Sequence, residues 1–176
     1  MKKTNNEDLG RISVEEYKNS PKHPIVIVLD NIRSFHNVGS VFRTADAFRI
    51  EAVYLCGYTP CPPHRDIHKT ALGATESVSW EYRESTLDAI HELKGQGYTV
   101  YGVEQAEPKT YLNELQVNGP IALVMGSEVG GIDEIALAAC DACLEIPQWG
   151  TKHSLNISVA TGVVLWEVIR QITPKH

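Results

Sequence analysis

Along this chain, short and almost wholly apolar runs alternate with longer amphipathic segments. The run PIVIVLDN at 24–31 is rich in β-branched residues, which is typical of a strand buried on both faces. Segment 37–48, which follows it, carries apolar residues at helical spacing. Further strand-like runs lie at 51–57, 77–82, 98–104, 120–126 and 142–147. Helical patterns lie at 14–19, 85–97, 110–116, 133–140 and 154–172.

This order of elements predicts the fold class. Nearly apolar strands that alternate with helices indicate an α/β domain with a mostly parallel sheet and helices on both faces. The stretch 58–77 contains several prolines and is predicted to be a long loop with one short helix. The first twenty residues are polar, so we expect an N-terminal arm over 1–20 and a single domain over 21–176.

Composition narrows the class of protein. Apolar residues make up 43% of the chain and charged residues 22%, as in ordinary soluble globular proteins. No apolar run approaches the roughly 18 residues of a membrane span, and no apolar segment follows the N-terminal lysines. We therefore expect a cytoplasmic protein without a membrane partner. The net charge of −6 argues mildly against nucleic acid, although a local basic patch can lie on an acidic protein.

The four cysteines do not indicate a metal site. Cys140 and Cys143 form a CDAC motif, but the upstream pair, Cys56 and Cys61, lacks the spacing of a second zinc knuckle. Cys140 is expected to close a helix and Cys143 to begin a strand, which suits small buried apolar residues. We expect no bound metal.

Three loops that lead from strands into helices carry more polar residues than a connection needs. In open α/β sheets, ligands bind in such loops, at the carboxyl ends of the strands. The loop GSEVGGI at 126–132 matches neither the Walker phosphate loop nor the dinucleotide fingerprint. Glu128 would repel phosphate there, so a neutral or cationic ligand is favoured. Alternatively, Glu128 is a solvated helix-cap residue.

The other two loops have structural explanations as well. Asn37 can cap the helix that follows the first strand, and Arg43 in that helix is either a snorkelling surface residue or a guanidinium aimed at phosphate. Ser154 stands at or near the N-cap of the closing helix, with Asn156 behind it. That helix is apolar enough for a dimer interface or for a fully buried core position.

Taken together, the three loops resemble one family. In order, the chain reads Asn37-x-Gly39-x3-Arg43-Thr44-Ala45, then Gly126-x-Glu128-x2-Gly131-Ile132, then Ile146-Pro147 leading to Ser154-Leu155-Asn156-Ile157-Ser158-Val159-Ala160. This is similar to the three-motif pattern of the SpoU/TrmH-type RNA 2′-O-methyltransferases of the SPOUT superfamily. The resemblance covers the chain from about Pro24 to Arg170, with Val129 standing where the family more often has glycine.

The resemblance implies a C-terminal trefoil knot, a homodimer, S-adenosylmethionine as cofactor, and methylation of a ribose 2′-hydroxyl of structured RNA, with tRNA preferred and rRNA as the other substrate class. The cofactor is a sulfonium cation, which a carboxylate in the glycine loop tolerates. The alternative is a catalytically silent relative that binds RNA or S-adenosylmethionine. Basic residues in or beside the site loops would give an acidic protein a basic RNA face; they are Arg33, His36, Arg43, Arg65, His68, Lys69, Lys152 and His153.

The same resemblance assigns residues to two roles. Carried over to this chain, the catalytic positions are Arg43, Asn37, Glu128, Ser154 and Asn156. The positions expected to hold the cofactor are Val103, Glu104, Met125, Gly126, Ile146, Ser154 and Leu155.

Overall fold

A computed structural model of the chain describes residues 1, 3–5, 8 and 10–173. Seven strands form one sheet: β1 (His23–Asp30), β2 (Ile50–Cys56), β3 (Ser79–Arg83), β4 (Thr99–Val103), β5 (Thr110–Tyr111), β6 (Ile121–Met125) and β7 (Ala142–Glu145). Their order across the sheet is β3-β2-β1-β6-β4-β7-β5. All six pairings are parallel, so the predicted mostly parallel α/β fold is confirmed.

Seven α-helices accompany the sheet in the described part of the chain: α1 (Val14–Asn19), α2 (Phe35–Ala47), α3 (Arg65–Ala71), α4 (Ala74–Ser77), α5 (Thr86–Gly95), α6 (Glu134–Ala139) and α7 (Ile157–Ile172). No helix among these residues is long and apolar enough to cross a membrane. Alternate residues of the central strands face opposite layers, since Ile27 packs with α2 and α7, whereas Val28 packs with α5 and α6. Helices thus cover both faces, as predicted.

Two segments differ from their predictions. The stretch 58–77 contains two short helices, α3 and α4, where one was predicted. Helix α3 packs closely against α2. A side chain at Gly39 of α2 would collide with Thr70 and with the backbone of Ile67, so glycine permits this contact. The helix predicted near 110–116 is wrong: β5 pairs with β7 at the sheet edge, and a 3₁₀ turn follows at Leu112–Glu114. Strand pairing outweighs the local helical pattern there.

Helix boundaries also correct two capping predictions. Ser34, not Asn37, caps α2, and its hydroxyl accepts a hydrogen bond from the Asn37 amide at 3.2 Å. Asn156, not Ser154, caps α7, and its side chain accepts from the Ser158 amide at 3.0 Å. Both corrections leave the predicted site residue beside a helix N-terminus.

The amino-terminal helix α1 is attached to the core by one aromatic side chain. Ser13 and Glu16 form a reciprocal capping box at its start. Tyr17 is buried and joins the core cluster that α2 and α7 share. Burial raises the pKa of the Tyr17 phenol to about 12. This helix therefore packs against the domain rather than standing apart from it.

Candidate active site

The three polar loops meet at the carboxyl edge of the sheet. Strands β1, β6, β4 and β7 are neighbours, so the loops that leave their carboxyl ends converge although they are distant in sequence. A pocket opens there between the ends of β4, β6 and β7 and the segment that precedes α7. The fold thus assembles one site from all three motifs.

A chain of side-chain hydrogen bonds joins the motifs. The Asn156 amide donates to Asn37 Oδ1 at 3.2 Å, and the Asn37 amide donates in turn to the Glu128 carboxylate. Asn156 Oδ1 accepts from the Ser158 hydroxyl at 2.6 Å, which fixes the amide orientation. Each motif therefore contributes one residue to a continuous chain of hydrogen bonds beside the pocket. We call this chain, from Asn156 through Asn37 to Glu128, the relay.

All seven residues expected to hold the cofactor line this pocket: Val103, Glu104, Met125, Gly126, Ile146, Ser154 and Leu155. The sequence analysis did not assign eight further lining residues to the cofactor, although it quoted Ile157 and Ala160 in the third motif and named His153 as a basic residue beside it. The eight are Gln105, Ser127, Leu144, Glu145, Gln148, His153, Ile157 and Ala160. Glu128 also belongs to the lining. Most of the missed residues are neighbours of predicted ones along the chain, so extending each motif by a residue or two would have found them.

The pocket is electrostatically suited to a cation rather than an anion. Among the described residues, its lining includes three carboxylates, Glu104, Glu128 and Glu145, and no lysine or arginine. Lys109 lies outside the pocket and pairs with Glu145 at 2.9 Å, and this contact raises the pKa of the lysine. Leu144, Ile146, Leu155 and Ala160 provide apolar walls. Such a mixture fits a flat heterocycle linked to a positively charged group.

Two side chains that the sequence analysis missed hold the loops in place. The buried Asp30 carboxylate, at the end of β1, accepts from Thr86 at 2.6 Å and from the Asp133 amide at 2.8 Å. Gln105 donates to the His153 carbonyl at 2.8 Å and so ties the end of β4 to the third loop. An aspartate at the end of a wholly apolar run was a detectable signal, because buried carboxylates need partners.

Gly126 allows the glycine loop to fold back tightly. Ser127 and Gly131 exchange backbone hydrogen bonds of 3.1 and 2.9 Å. A side chain at Gly126 would collide with the backbone of Gly131 and Ile132. Glu104 accepts from the Ile132 amide at 3.2 Å, which closes the loop onto β4. The carboxylate of Glu104 is thus part of the pocket wall as well as of the loop's support.

Arg43 is not brought to this pocket. It lies in the middle of α2 and is exposed, and no carboxylate among the described residues pairs with it. Along α2 its neighbours at helical spacing are His36 and Ala47, which are exposed as well. Within one chain, therefore, four of the five predicted catalytic residues gather at the pocket edge, and Arg43 lies on the outer surface.

The outer surface that carries Arg43 continues onto α7. Helices α2 and α7 lie side by side, with Asn37 bonded to Asn156 at one end and the rings of Phe48 and Trp166 6.4 Å apart at the other. Three exposed residues of α7, Val159, Val163 and Trp166, form an apolar stripe and are exposed by 51%, 39% and 61%, and the exposed Arg170 follows near the end of the helix. We call this surface the α2–α7 face.

The cysteines lie where the sequence analysis expected them. Cys140 ends α6 and Cys143 lies in β7, and all four cysteines are free. Burial raises the pKa of the Cys140 thiol to about 12 and also raises that of Cys143. These thiols are protonated at neutral pH and behave as small apolar residues.

Comparison with known proteins supplies the family. The model of the SpoU rRNA Methylase family matches residues 24–166. The 23S rRNA (guanosine-2'-O-)-methyltransferase RlmB of Pseudomonas aeruginosa is 35% identical over 86% of this chain, which spans 60% of that relative. The solved structure of an AdoMet-bound rRNA methyltransferase from Sinorhizobium meliloti is 25% identical to this chain, with a TM-score of 0.81. The match covers 90% of this chain and 61% of that one.

A further solved structure concerns the 2-OH methylation of a nucleotide on tRNA. Its sequence is 27% identical to this chain, and the TM-score is 0.75. The match covers 85% of this chain and 98% of that one. The RlmB relatives of Pseudomonas aeruginosa, Nitrosomonas europaea and Haemophilus influenzae are named as 23S rRNA enzymes, and they do not support the preference for tRNA expected from the sequence.

Proposed function

The chain belongs to the SpoU rRNA Methylase family, and we propose on this basis that it transfers a methyl group from S-adenosylmethionine to a ribose 2′-hydroxyl of ribosomal RNA. The observation that carries the proposal is the relay from Asn156 through Asn37 to Glu128. These hydrogen bonds join one residue from each of the three family motifs beside a pocket whose charge favours a cation, and this supports the proposal.

The pocket's chemistry fits S-adenosylmethionine. Leu144, Ile146 and Leu155 can sandwich the adenine, and backbone groups of 126–127 and 146–148 can bind its edge. Glu104 lines the pocket, so its carboxylate can accept hydrogen bonds from the ribose hydroxyls of the cofactor. When bound, this cofactor supplies a methyl group already activated by its sulfonium. The lack of lysine and arginine in the lining disfavours nucleoside phosphates as competitors.

The protein's own residues position the acceptor and help it lose a proton. Asn37, Ser154 and Asn156 are polar side chains at the pocket edge that can orient the ribose and its phosphate. We assign to Arg43 the binding of the RNA phosphate and of the 2′-oxygen. Its guanidinium is a permanent cation, so it stabilises the negative charge that develops on the 2′-oxygen while the hydroxyl proton passes to solvent.

Arg43 can serve this role only if the protein dimerises. We propose a homodimer that packs through the α2–α7 face, because this surface combines Arg43 with the exposed Val159, Val163 and Trp166. A twofold axis near the middle of the face would bring Arg43 of one protomer to the pocket of its partner. The apolar stripe on α7 supports this use, since a monomer would leave it in water.

We also propose that the segment between β7 and α7 forms the trefoil knot of the family. Two features support it: the segment 147–156 lines the same pocket as the glycine loop, and β4 lies between β6 and β7 in the sheet. Gln105 bonded to the His153 carbonyl would hold the threaded segment against β4.

The direct test is transfer of labelled methyl groups into separate ribosomal RNA and tRNA pools from cells that lack the gene. We expect label in a ribose of ribosomal RNA. The tRNA pool is included because the match to the solved structure concerned with tRNA covers 98% of that chain. Calorimetry should show S-adenosylmethionine binding without RNA, and no binding of ATP or NAD. Cofactor binding without transfer to either pool would instead identify a catalytically silent relative.

A further inference from the structure

A second cavity lies apart from the cofactor pocket, beneath α3. It measures about 520 Å³ and is bounded by Pro63, His64, Arg65, His68, Glu76 and Trp80. Helices α3 and α4 form its sides, and Trp80 of the edge strand β3 forms its base. We call this cavity the α3 groove. Its volume lies within the range of roughly 300–1,000 Å³ that small-molecule sites occupy.

The walls of the groove combine three kinds of chemistry. The half-buried Trp80 offers an aromatic surface, and prolines 62 and 63 offer apolar contacts beside it. Arg65 and His68 are exposed on α3 and can donate hydrogen bonds to an anion. Glu76 is an exposed carboxylate and can only accept. An aromatic platform, a cationic donor and an acceptor together match a nucleotide: a stacked base, a phosphate and an exocyclic amino group.

The groove is physically continuous with the candidate active site. Thr70 of α3 donates to the His36 carbonyl at 2.9 Å, and the rings of His64 and Phe35 stack with centroids 3.9 Å apart. Phe35 and His36 directly precede Asn37 in the first turn of α2. In the loop that precedes α2, the Arg33 guanidinium lies 5.7 Å from the ring centre of the exposed Tyr58. The contacts of Thr70 and His64 thus join α3 to the turn of α2 that carries Asn37.

We propose that the α3 groove binds one nucleotide of the RNA substrate, a few positions from the methylated ribose, and prefers a base with an exocyclic amino group. The proposal rests on the proposed function, since it concerns the same RNA. Trp80 stacks on the base, Glu76 accepts from its amino group, and Arg65 with His68 binds the phosphate. Three strand spacings, about 14 Å in all, separate β3 from β6, where the methyl-transfer pocket lies.

The test is fluorescence anisotropy with the full chain and labelled oligocytidylate or oligouridylate of about ten nucleotides. We expect Trp80→Ala to weaken oligocytidylate binding about tenfold, and Trp80→Phe, which keeps a stacking surface, to weaken it by no more than about twofold. Glu76→Gln should remove the preference for cytosine over uracil, because an amide can donate to uracil O4 as well as accept.

A double variant, Arg65→Ala with His68→Ala, keeps Trp80 packed and so tests the groove even where Trp80→Ala does not fold. It should reduce the salt dependence of binding by about one unit of slope. The matched control removes one lysine and one histidine from α5 on the opposite face of the sheet: Lys94→Ala with His91→Ala should bind as the wild type does.

Separate readouts distinguish failure of the groove from failure of the proposed function. Wild-type affinity in the Trp80, Glu76 and Arg65–His68 variants overturns the groove, whatever the protein's methyl transfer. Competition by free cytidine monophosphate as strong as by the oligonucleotide also overturns it, because the site would then take a small molecule. Trp80-dependent binding in a protein that transfers no methyl group supports the groove and contradicts the methyltransferase.

Discussion

The cofactor pocket and the α2–α7 face differ in how complete they are within one chain. At the pocket, three distant motifs are already joined by hydrogen bonds, and apolar walls surround a cluster of carboxylates. On the α2–α7 face, Arg43 and Trp166 lie exposed with nothing from the same chain to cover them among the described residues. One region is preorganised by folding, whereas the other would be completed by a partner surface in the proposed homodimer. The difference separates cofactor binding from catalysis.

Replacing Arg43 tests that separation most strongly. Arg43→Ala should lower methyl transfer by about 10³-fold, because it removes a cation from the developing alkoxide. S-adenosylmethionine affinity by calorimetry should not change, since Arg43 is exposed and does not line the pocket. Arg43→Lys should rescue poorly, because an ammonium lacks the planar fork. If Arg43→Ala lowered S-adenosylmethionine affinity as much as methyl transfer, the assignment of cofactor binding and catalysis to separate regions would be wrong.

Mixing two inactive variants tests whether the regions of different protomers combine. Co-refolded Arg43→Ala and Asn156→Ala proteins should recover about a quarter of wild-type activity, because half of the dimers are mixed and one of their two sites is intact. Native mass spectrometry would verify the mixed dimers. If these dimers are present and remain inactive, each site is built within one chain. Sedimentation of the wild type as a monomer at micromolar concentration would remove the dimer altogether.

A glycine in the pocket should affect the cofactor but not assembly. Gly126→Ala places a methyl group against the backbone of Gly131 and Ile132, so the loop must shift. We expect S-adenosylmethionine affinity to fall roughly tenfold to a hundredfold, in line with the cost of overpacking. Gly150→Ala is the matched control, because an added methyl meets nothing within 4 Å there. Equal affinities in the two variants would show that the glycine loop does not shape the cofactor site.

The smallest effect is expected at the cysteines. Cys140→Ser and Cys143→Ser should leave methyl transfer and metal content unchanged, because neither cysteine lines the pocket. The pKa of Cys140, raised to about 12 by burial, keeps that thiol protonated at pH 8. Mass spectrometry after iodoacetamide treatment should therefore show slow alkylation of Cys140 in the folded protein and fast alkylation in urea. Fast alkylation of the folded protein would show that the site is open to solvent.

Sequence patterns predicted most of the architecture, because burial on both faces leaves a local signature. Strands β1 and β6 were found from their apolar runs, and α2 from its helical periodicity. The prediction failed at β5, where only two residues pair with β7 and no periodicity can develop. It also placed the caps of α2 and α7 at the wrong polar residue, because Ser34, Asn37, Ser154 and Asn156 are all acceptable caps.

The sequence by itself determined the three motifs and the family resemblance that they carry, and this resemblance identified seven of the residues that line the pocket. Only the tertiary structure decided that Asn37 bonds to Glu128, 91 residues away, and that Arg43 points outward. It also brought Trp80 and Arg65 to one groove. The physical reason is that strand order sets which loop ends meet, and pairing between strands distant in sequence leaves no trace in local periodicity.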